Sequence, residues 1–397
     1  MGSMIYLSVG RIDIDWGKNA NFANHLDLFQ EGDEGANDYY YVAMNGDPIV
    51  ESQVCLGRNL SRVRPRLDML GYTLSWVGTQ LDEYFGDDVD MPISALDSLK
   101  QVLRTIDWIN GESNTDFDEV MQGAFIRASE CDALASVNDR CILPYGMYFD
   151  PYLVLRVLAE IDEYSDLRVS WKFADVLEGG YVDASCFEVS APNKKWIVVT
   201  EGSSDTFILQ CALHKIYPDI ADFFDFIDMS GGNPFPGVGN LVAFCKGLSR
   251  IRYSGNMLLV LDNDTAGRRA QLEIQALGLP ASVIVTCLPE LEQLRRFKTL
   301  GPAGENIENI NGRASAVECF LDFSNSKASL AVRWTSFVPQ LQQYQGELVG
   351  KDSFITDFKK RAMKDEAYDW SKLQLLWNYL ITRCAEAASF IESPALK

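Results

Sequence analysis

Histidine is nearly absent: the chain of 397 residues holds two, His25 and His214. A Ser–His–Asp hydrolase would have to rest on His214, which falls in the helix-like stretch from Leu209 to Ile216. A solvated or core-edge side chain is the plainer reading of both histidines. The nine cysteines are odd in number and scattered without a CxxC pair. That speaks against zinc and against a disulfide framework, and it fits reduced thiols in a cytoplasm. No apolar run reaches the length of a membrane span, and no basic-then-apolar leader stands at the start, so neither membrane insertion nor secretion is expected. Met1-Gly2-Ser3 ahead of Met4 reads as a cloning addition. A GxxxxGK[ST] loop is missing too, so no ATP site is expected in this chain.

Positive charge is scarce, and unevenly so. The net charge is −21; residues 1–190 carry 33 Asp and Glu against 13 Lys and Arg, whereas residues 191–397 carry 23 against 22. Phosphate binding relies on Lys and Arg. The first half is therefore expected to repel nucleic acid and to act as a gate or as a docking surface for a partner protein. The near-neutral second half, tipped positive by bound metal ions, is where a nucleic-acid substrate is expected. An apolar fraction of 47% is enough for ordinary cores, and 397 residues suit two domains better than one.

A boundary suggests itself in the polar turn cluster Ser190-Ala191-Pro192-Asn193-Lys194-Lys195. Beyond it, strands and helices alternate. Strands are expected at 197–199, 223–229, 257–261 and 281–287, and helices at 206–216, 240–251 and 266–277, with a Gly/Pro loop at 230–239. That order implies βαβ crossovers and a parallel sheet covered on both faces. After residue 300 the pattern reads as helical, at 315–321, 353–363 and 370–390. In the first half, 4–9 and 39–44 read as strands, and 60–70, 94–110 and 152–161 as helices. Acid-rich loops are expected at 31–38 and 82–90. The fold class is thus α/β, preceded by an acidic α+β domain over 4–190.

Chemistry concentrates at two strand ends. Leu258-Leu259-Val260-Leu261 runs into Asp262-Asn263-Asp264-Thr265-Ala266-Gly267, and about 60 residues upstream Trp196-Ile197-Val198-Val199-Thr200 runs into Glu201-Gly202. An Asp-Asn-Asp turn can be purely structural. Here, though, two parallel strands would deliver Glu201, Asp262 and Asp264 to the carboxyl edge of one sheet, where α/β proteins bind ligands. Like charges at i and i+2 repel unless a cation or a donor sits between them. A hard cation such as Mg²⁺ takes carboxylate oxygens and works on phosphates.

Thr200-Glu201-Gly202-Ser203-Ser204-Asp205 together with Leu261-Asp262-Asn263-Asp264-Thr265-Ala266-Gly267 resembles the Toprim domain of topoisomerases, DnaG-type primases and OLD-family nucleases. The resemblance covers roughly residues 195–325 and implies a Rossmann-like parallel sheet with Mg²⁺ or Mn²⁺ on the acidic triad, followed by a helical C-terminal extension over 326–397. Asp205 looks like the additional acid of OLD-type nucleases, with a helix N-cap as the structural alternative. The segment from Glu305 to Glu318 resembles one in HEPN/Toprim-associated proteins, and Glu318 occupies the position of a further metal ligand. Ile5-Tyr6-Leu7-Ser8-Val9-Gly10 looks like the start of that group's N-terminal domain.

The departures matter. The absent P-loop separates the chain from OLD proteins, the unclustered cysteines from primases, and the modest size from topoisomerases. The RxxxxH motif of HEPN ribonucleases cannot form around either histidine. What the resemblance leaves is a metal-dependent endonuclease of DNA or RNA, an effector in bacterial antiphage defence. Asp262 and Asp264 would hold one ion, Glu201 would bridge or act as general base, and Asp205 and Glu318 would complete a second ion site, the ions ~4 Å apart. Lys351 or Lys359 would stabilise transition-state charge, and Gly202, Gly267, Arg268 and Arg269 would meet phosphate. Expected partners are a nucleic-acid substrate (DNA or tRNA) and a separate ATPase or sensor docked on the acidic domain, with a homo-oligomer left open. The other classes are a regulatory module that binds metal and ligand without cleaving, and a DxD glycosyl- or phosphotransferase, for which the DxD is the sole support.

Overall fold

The computed structural model describes residues 2–42, 48–85, 94–111, 116–129, 150–190, 192, 194–227, 237–302, 304–324, 330–339, 342–362, 364 and 367–391. The chain divides into two compact units that meet in sequence between Asn193 and Lys194.

The first unit contains β1 (Met4–Val9), β2 (Ile12–Lys18), β3 (Glu34–Val42), β4 (Pro48–Asn59), α1 (Leu60–Met69), α2 (Leu74–Phe85), α3 (Ala95–Arg104), α4 (Phe117–Ser129), α5 (Pro151–Leu158), β5 (Arg168–Lys172) and α6 (Ala174–Glu178). Its sheet runs β2-β1-β5-β4-β3 with every neighbouring pair antiparallel. The helices start on local chemistry: the Ser94 hydroxyl accepts from the Asp97 N–H, and Asp150 caps α5 ahead of Pro151. The stretch 31–38, expected as an acid-rich loop, is half strand. Glu34–Asp38 belong to β3, where Glu34, Ala36 and Asp38 face solvent while Asn37 turns inward and donates to Ser170 Oγ (2.7 Å). β3 is an edge strand, and outward charge on an edge suppresses pairing with other chains, so its composition imitates a loop. Asp82 lies in α2, and 86–90 fall outside the described residues.

The second unit contains β6 (Trp196–Val199), α7 (Ser203–Ile216), β7 (Phe224–Phe226), α8 (Val238–Ile251), β8 (Met257–Leu261), β9 (Asn263–Asp264), α9 (Thr265–Gln275), β10 (Val283–Cys287), β11 (Phe297–Gly301), β12 (Gly304–Glu308), β13 (Ala314–Ser315), β14 (Val332–Val338), β15 (Gln343–Leu348), α10 (Lys351–Arg361) and α11 (Ser371–Ile391). A four-stranded sheet, β10-β8-β6-β7, is parallel throughout. All five residues of β8 are buried, which is why this strand reads as an unbroken apolar run. Leu241 and Cys245 of α8 and Ile274 of α9 close a core on Val199, Leu259 and Leu261. Trp377 of α11, also buried, donates to the Leu209 carbonyl (3.0 Å) and so ties α11 to α7. The expected loop at 230–239 lies mostly outside the described residues.

The region after residue 300 departs from its helical reading. β11 and β12 pair with each other, and β14 and β15 join them in a second sheet, β12-β11-β14-β15. This sheet crosses the expected boundary at 325, and the segment expected to be a helical extension opens with the hairpin β14–β15. Val332, Trp334, Thr335, Phe337 and Val338 are β-branched or aromatic, the composition that suits a pleated, half-buried strand. Arg295 and Arg296 lie in a 3₁₀ turn, and Lys298 lies in β11. No helix among the described residues is long and apolar enough to cross a membrane.

Candidate active site

β6 connects onward to β7 on one side and β8 to β10 on the other, so the chain leaves these neighbouring strands in opposite directions and opens a crevice at the carboxyl ends of β6 and β8. Such switch points are where open α/β sheets bind ligands. Glu201 stands two residues beyond β6, and Asp262 directly follows β8. The Glu201 carboxylate accepts a hydrogen bond from the Asp262 N–H (3.0 Å), which ties the two strand ends together. Thr200 and Thr206 share a hydrogen bond (2.7 Å) across the turn into α7.

Asp264 ends β9 and caps α9. Its Oδ1 accepts from the Gly267 N–H (2.7 Å), and its Oδ2 accepts from the side-chain amide of Gln345. The Gln345 carbonyl in turn accepts from the Ala266 N–H (3.2 Å), so one side chain of β15 grips both sides of the turn. A Cβ at Gly267 would lie 2.2 Å from the Asp262 carbonyl oxygen. This glycine, expected to meet phosphate, is needed for close packing, and its N–H is already taken by Asp264. At Gly202 a Cβ would come within 3.2 Å of an Asp205 carboxylate oxygen, so the bare position leaves that carboxylate room.

Asp205 lies in the first turn of α7, 9% exposed; the N-cap position belongs to Gly202, so the capping alternative for Asp205 does not hold. Glu318, 2% exposed, sits on a 3₁₀ turn, Val317–Phe320. β13 carries that turn to the acids by pairing antiparallel with β9, Ala314 opposite Asp264 and Ser315 opposite Asn263. Lys351 opens α10 directly after Gly350, whose φ of 76° suits the residue without a Cβ. The turn and α10 are braced to each other: Arg361 pairs with Asp322 (3.0 Å), and the Asp322 N–H donates to the Tyr368 hydroxyl (3.0 Å).

The five acids act on one another. Burial, then the charges of Asp205, Glu201, Asp264 and Glu318, push the Asp262 carboxyl well above the usual carboxylate range. Burial, with Glu318 and Glu201, raises Asp205 to about 7, against the pull of Lys351 and Ser204. Glu201 is raised by burial and by Asp264, with the Asp262 N–H and Lys351 opposing. For Lys351, burial works against the ammonium, but Glu318, Asp262, Asp205 and Glu347 together outweigh it and raise the pKa. Lys351 lies within 4 Å of no carboxylate among the described residues, so it acts on the acids through the field.

Not every expected group joins them. Arg268 is exposed, with its guanidinium against the backbone of Gly312, and Arg269 lines a separate cavity of about 250 Å³ with Lys246 and Val338. Neither arginine is among the principal charges acting on Glu201, Asp205 or Asp262. Lys359 lies two turns beyond Lys351 on α10, with its ammonium over the Phe207 ring. His25 is buried against Asp15 (3.0 Å) and the Tyr152 hydroxyl (3.1 Å), and His214 is exposed. Gln345 escaped the sequence reading because nothing near it in sequence signals a contact with Asp264, 81 residues away.

Among the described residues, no three His, Cys, Asp or Glu side chains are closed around a single point that would hold a metal ion. The donor chemistry nevertheless suits a hard cation: the donors are all oxygen and of one sign, and burial with like charge nearby raises the pKa of Glu201, Asp205 and Asp262.

Fold and site thus define a parallel-sheet α/β unit with an acidic centre at its switch point, preceded by an antiparallel α+β unit. Residues 1–195 match the family model described as HEPN/Toprim N-terminal domain 1, which supports the HEPN/Toprim-associated group. The match ends just ahead of β6 and the acids. No curated protein and no solved structure matches the chain.

Proposed function

We propose that the protein is a metal-dependent nuclease that hydrolyses phosphodiester bonds in nucleic acid. The family match over residues 1–195 supports a nuclease-related role. The observation that carries the reading is the gathering of Asp205, Glu201 and Asp262 from two chain segments at a sheet's switch point, where burial first and neighbouring like charges second raise the pKa of each. Buried carboxylates of one sign are costly unless a cation joins them.

Glu201, Asp262 and Asp264, with Asp205 and Glu318, are the residues that would hold Mg²⁺ or Mn²⁺. Such ions, when bound, polarise the phosphoryl group and lower the pKa of water. Glu201, fixed by the Asp262 N–H, is oriented to take a proton from an attacking water. Lys351 supplies positive charge at the phosphate side. The Gln345 amide keeps Asp264 in one rotamer. The acidic first unit, carrying most of the chain's net charge, suits a partner protein such as a separate ATPase or sensor better than nucleic acid, as an antiphage effector would need.

Supercoiled plasmid, linear DNA and bulk tRNA, each incubated with Mg²⁺ or Mn²⁺, test the reading. Cleavage by the wild type that Asp262→Ala/Asp264→Ala lacks supports it, and full cleavage by a folded double variant sinks it.

A second reading has its own observation. Both oxygens of Asp264 and one of Glu201 are engaged in hydrogen bonds, as in a module that binds metal and ligand without cleaving. Metal binding by calorimetry with no cleavage of any of the three substrates would favour it.

A further inference from the structure

A groove of about 1150 Å³ opens beside the acids, between α7 and α10. One end is lined by Ser203, Ser204 and Lys351, neighbours in sequence or in charge of Glu201, Asp205 and Glu318. Further along, its walls are Phe207 and Gln210 of α7 facing Lys359 of α10. In a chain of net charge −21, this lining holds two lysines against one acid, Asp352.

Of the apolar side chains that line the groove, which include Phe226, Ile227 and Ile355, Phe207 is the large exposed one, a ring 36% exposed beside hydroxyl, amide and ammonium groups. Phe358 meets it edge-on (6.1 Å, 85°), so the ring is held from the protein side. The Lys359 ammonium lies over the ring, 5.1 Å from its centre. Lys351 and Lys359 are eight residues apart on one helix, about 12 Å, which spans three to four phosphates at ~3.4 Å per step of a stacked strand.

We propose that this groove binds a single-stranded segment of nucleic acid leading away from the bond to be cut, with an unpaired base stacked on Phe207 and a phosphate on Lys359. The direction of the strand rests on the phosphodiesterase reading of the acids; the binding itself does not. A phosphate that takes Lys359 draws the ammonium off the ring and frees a π-face. A base inside a duplex is already stacked on its neighbours, so that face selects unpaired bases. A groove of this volume holds a short oligonucleotide segment: pockets for drug-sized ligands run about 300–1,000 Å³.

The test is fluorescence anisotropy of the full-length protein in EDTA with labelled dT₁₂, U₁₂ and a 12-base-pair duplex. The proteins are wild type, Phe207→Leu, Phe207→Tyr and Lys359→Ala, each checked by thermal melting. The expected result is tighter binding of dT₁₂ or U₁₂ than of duplex. Phe207→Leu should weaken single-strand binding by about 5- to 100-fold, Phe207→Tyr should leave it within about twofold, and Lys359→Ala should lower the salt slope by ~0.7. The tighter of dT₁₂ and U₁₂ names the sugar. Single-strand binding indifferent to both Phe207→Leu and Lys359→Ala, or duplex binding as tight as single-strand binding, overturns the proposal. Plasmid and tRNA cleavage by wild type and Asp262→Ala is measured beside it. Asp262-dependent cleavage with indifferent binding removes the groove and keeps the nuclease. Phe207-dependent binding with no cleavage removes the nuclease and keeps the groove.

Discussion

The two units bury charge in opposite ways. In the first, several deeply placed cations have an acid in hand. Arg58, 2% exposed, meets Asp33 (3.1 Å) and Gln30; Lys172 meets Asp13 (3.3 Å), which also accepts from Ser8; Arg156 lies between Asp68 (2.7 Å) and Glu160 (2.6 Å). In the second, Asp205, Asp262 and Glu318 are brought together with Glu201 and Asp264, and Lys351, the cation that acts on Glu201 and Asp205, stays beyond ion-pair distance. Paired charges hold an architecture together with little left to attract a ligand. Like charges held together weaken the fold and await something positive, and such frustrated groups mark functional sites. The excess of acid over base in the first half therefore says little about where the chemistry is.

The largest expected effect is in the like-charge cluster. Asp262→Ala should lower cleavage by at least about 10³-fold, since a bound cation stabilises the transition state by several kcal/mol and each decade of rate is ~1.4 kcal/mol. The same change should not lower the melting temperature of metal-free protein, because it removes a repelled charge. A large loss of stability would place Asp262 with the paired charges. Next, Arg58→Met in the first unit should cost about 3–5 kcal/mol in urea unfolding, since it strands Asp33 in a poorly hydrated place. A loss below ~1 kcal/mol would erase the contrast between the units.

Asp205→Asn tests the like-charge cluster through pH. A carboxyl raised to about 7 in the folded protein holds its proton more tightly there than in the unfolded chain, where 3.8 applies. Its contribution to stability is full below pH 3.8 and is lost as the pH rises to about 7. Asparagine does not titrate, so the variant's advantage in metal-free melts should grow across that window, reach on the order of 4 kcal/mol, and stay flat above it. Excess Mg²⁺ should shrink the advantage. An advantage that is constant from pH 4 to 8 would mean that Asp205 does not titrate with the cluster. A smaller effect is expected at Gln345→Ala: about tenfold less cleavage, with the substrate concentration for half-maximal rate little changed, from the loss of one hydrogen bond to Asp264. Least of all should follow from Arg295→Ala, whose exposed pairs with Glu290 and Glu292 predict a change within ~0.5 kcal/mol and unaltered cleavage.

Legibility followed burial. β6, α7, α8, β8, α9 and β10 lie close to where the apolar pattern placed them, because a sheet covered on both faces needs continuous apolar strands and amphipathic helices between them. β3 was taken for a loop in its acidic part, since an edge strand keeps its outward face charged. β14 and β15 were missed because their alternation is broken by exposed Phe337 and Tyr344, and β11, the strand that β14 pairs with, is brought to it only by folding. Glu201, Asp262 and Asp264 were visible as acids at strand ends. Glu318 and Lys351 entered by resemblance alone, and nothing in their local sequence indicates that they share a field.

From its own order of residues, the chain determined that two strands end in carboxylates, that a glycine follows at the position where a Cβ would strike the Asp262 carbonyl, and that the net negative charge resides in the first half. These are local properties, set by side-chain periodicity and backbone sterics. Tertiary structure alone decided that β6 and β8 are neighbours at a switch point, that the β9–β13 pairing delivers Glu318, that Gly350 turns Lys351 toward the acids, and that Gln345 closes on Asp264. Those depend on interactions between residues up to about 150 positions apart, whose closure follows from packing the sheet as a whole. No short stretch of sequence can carry that information.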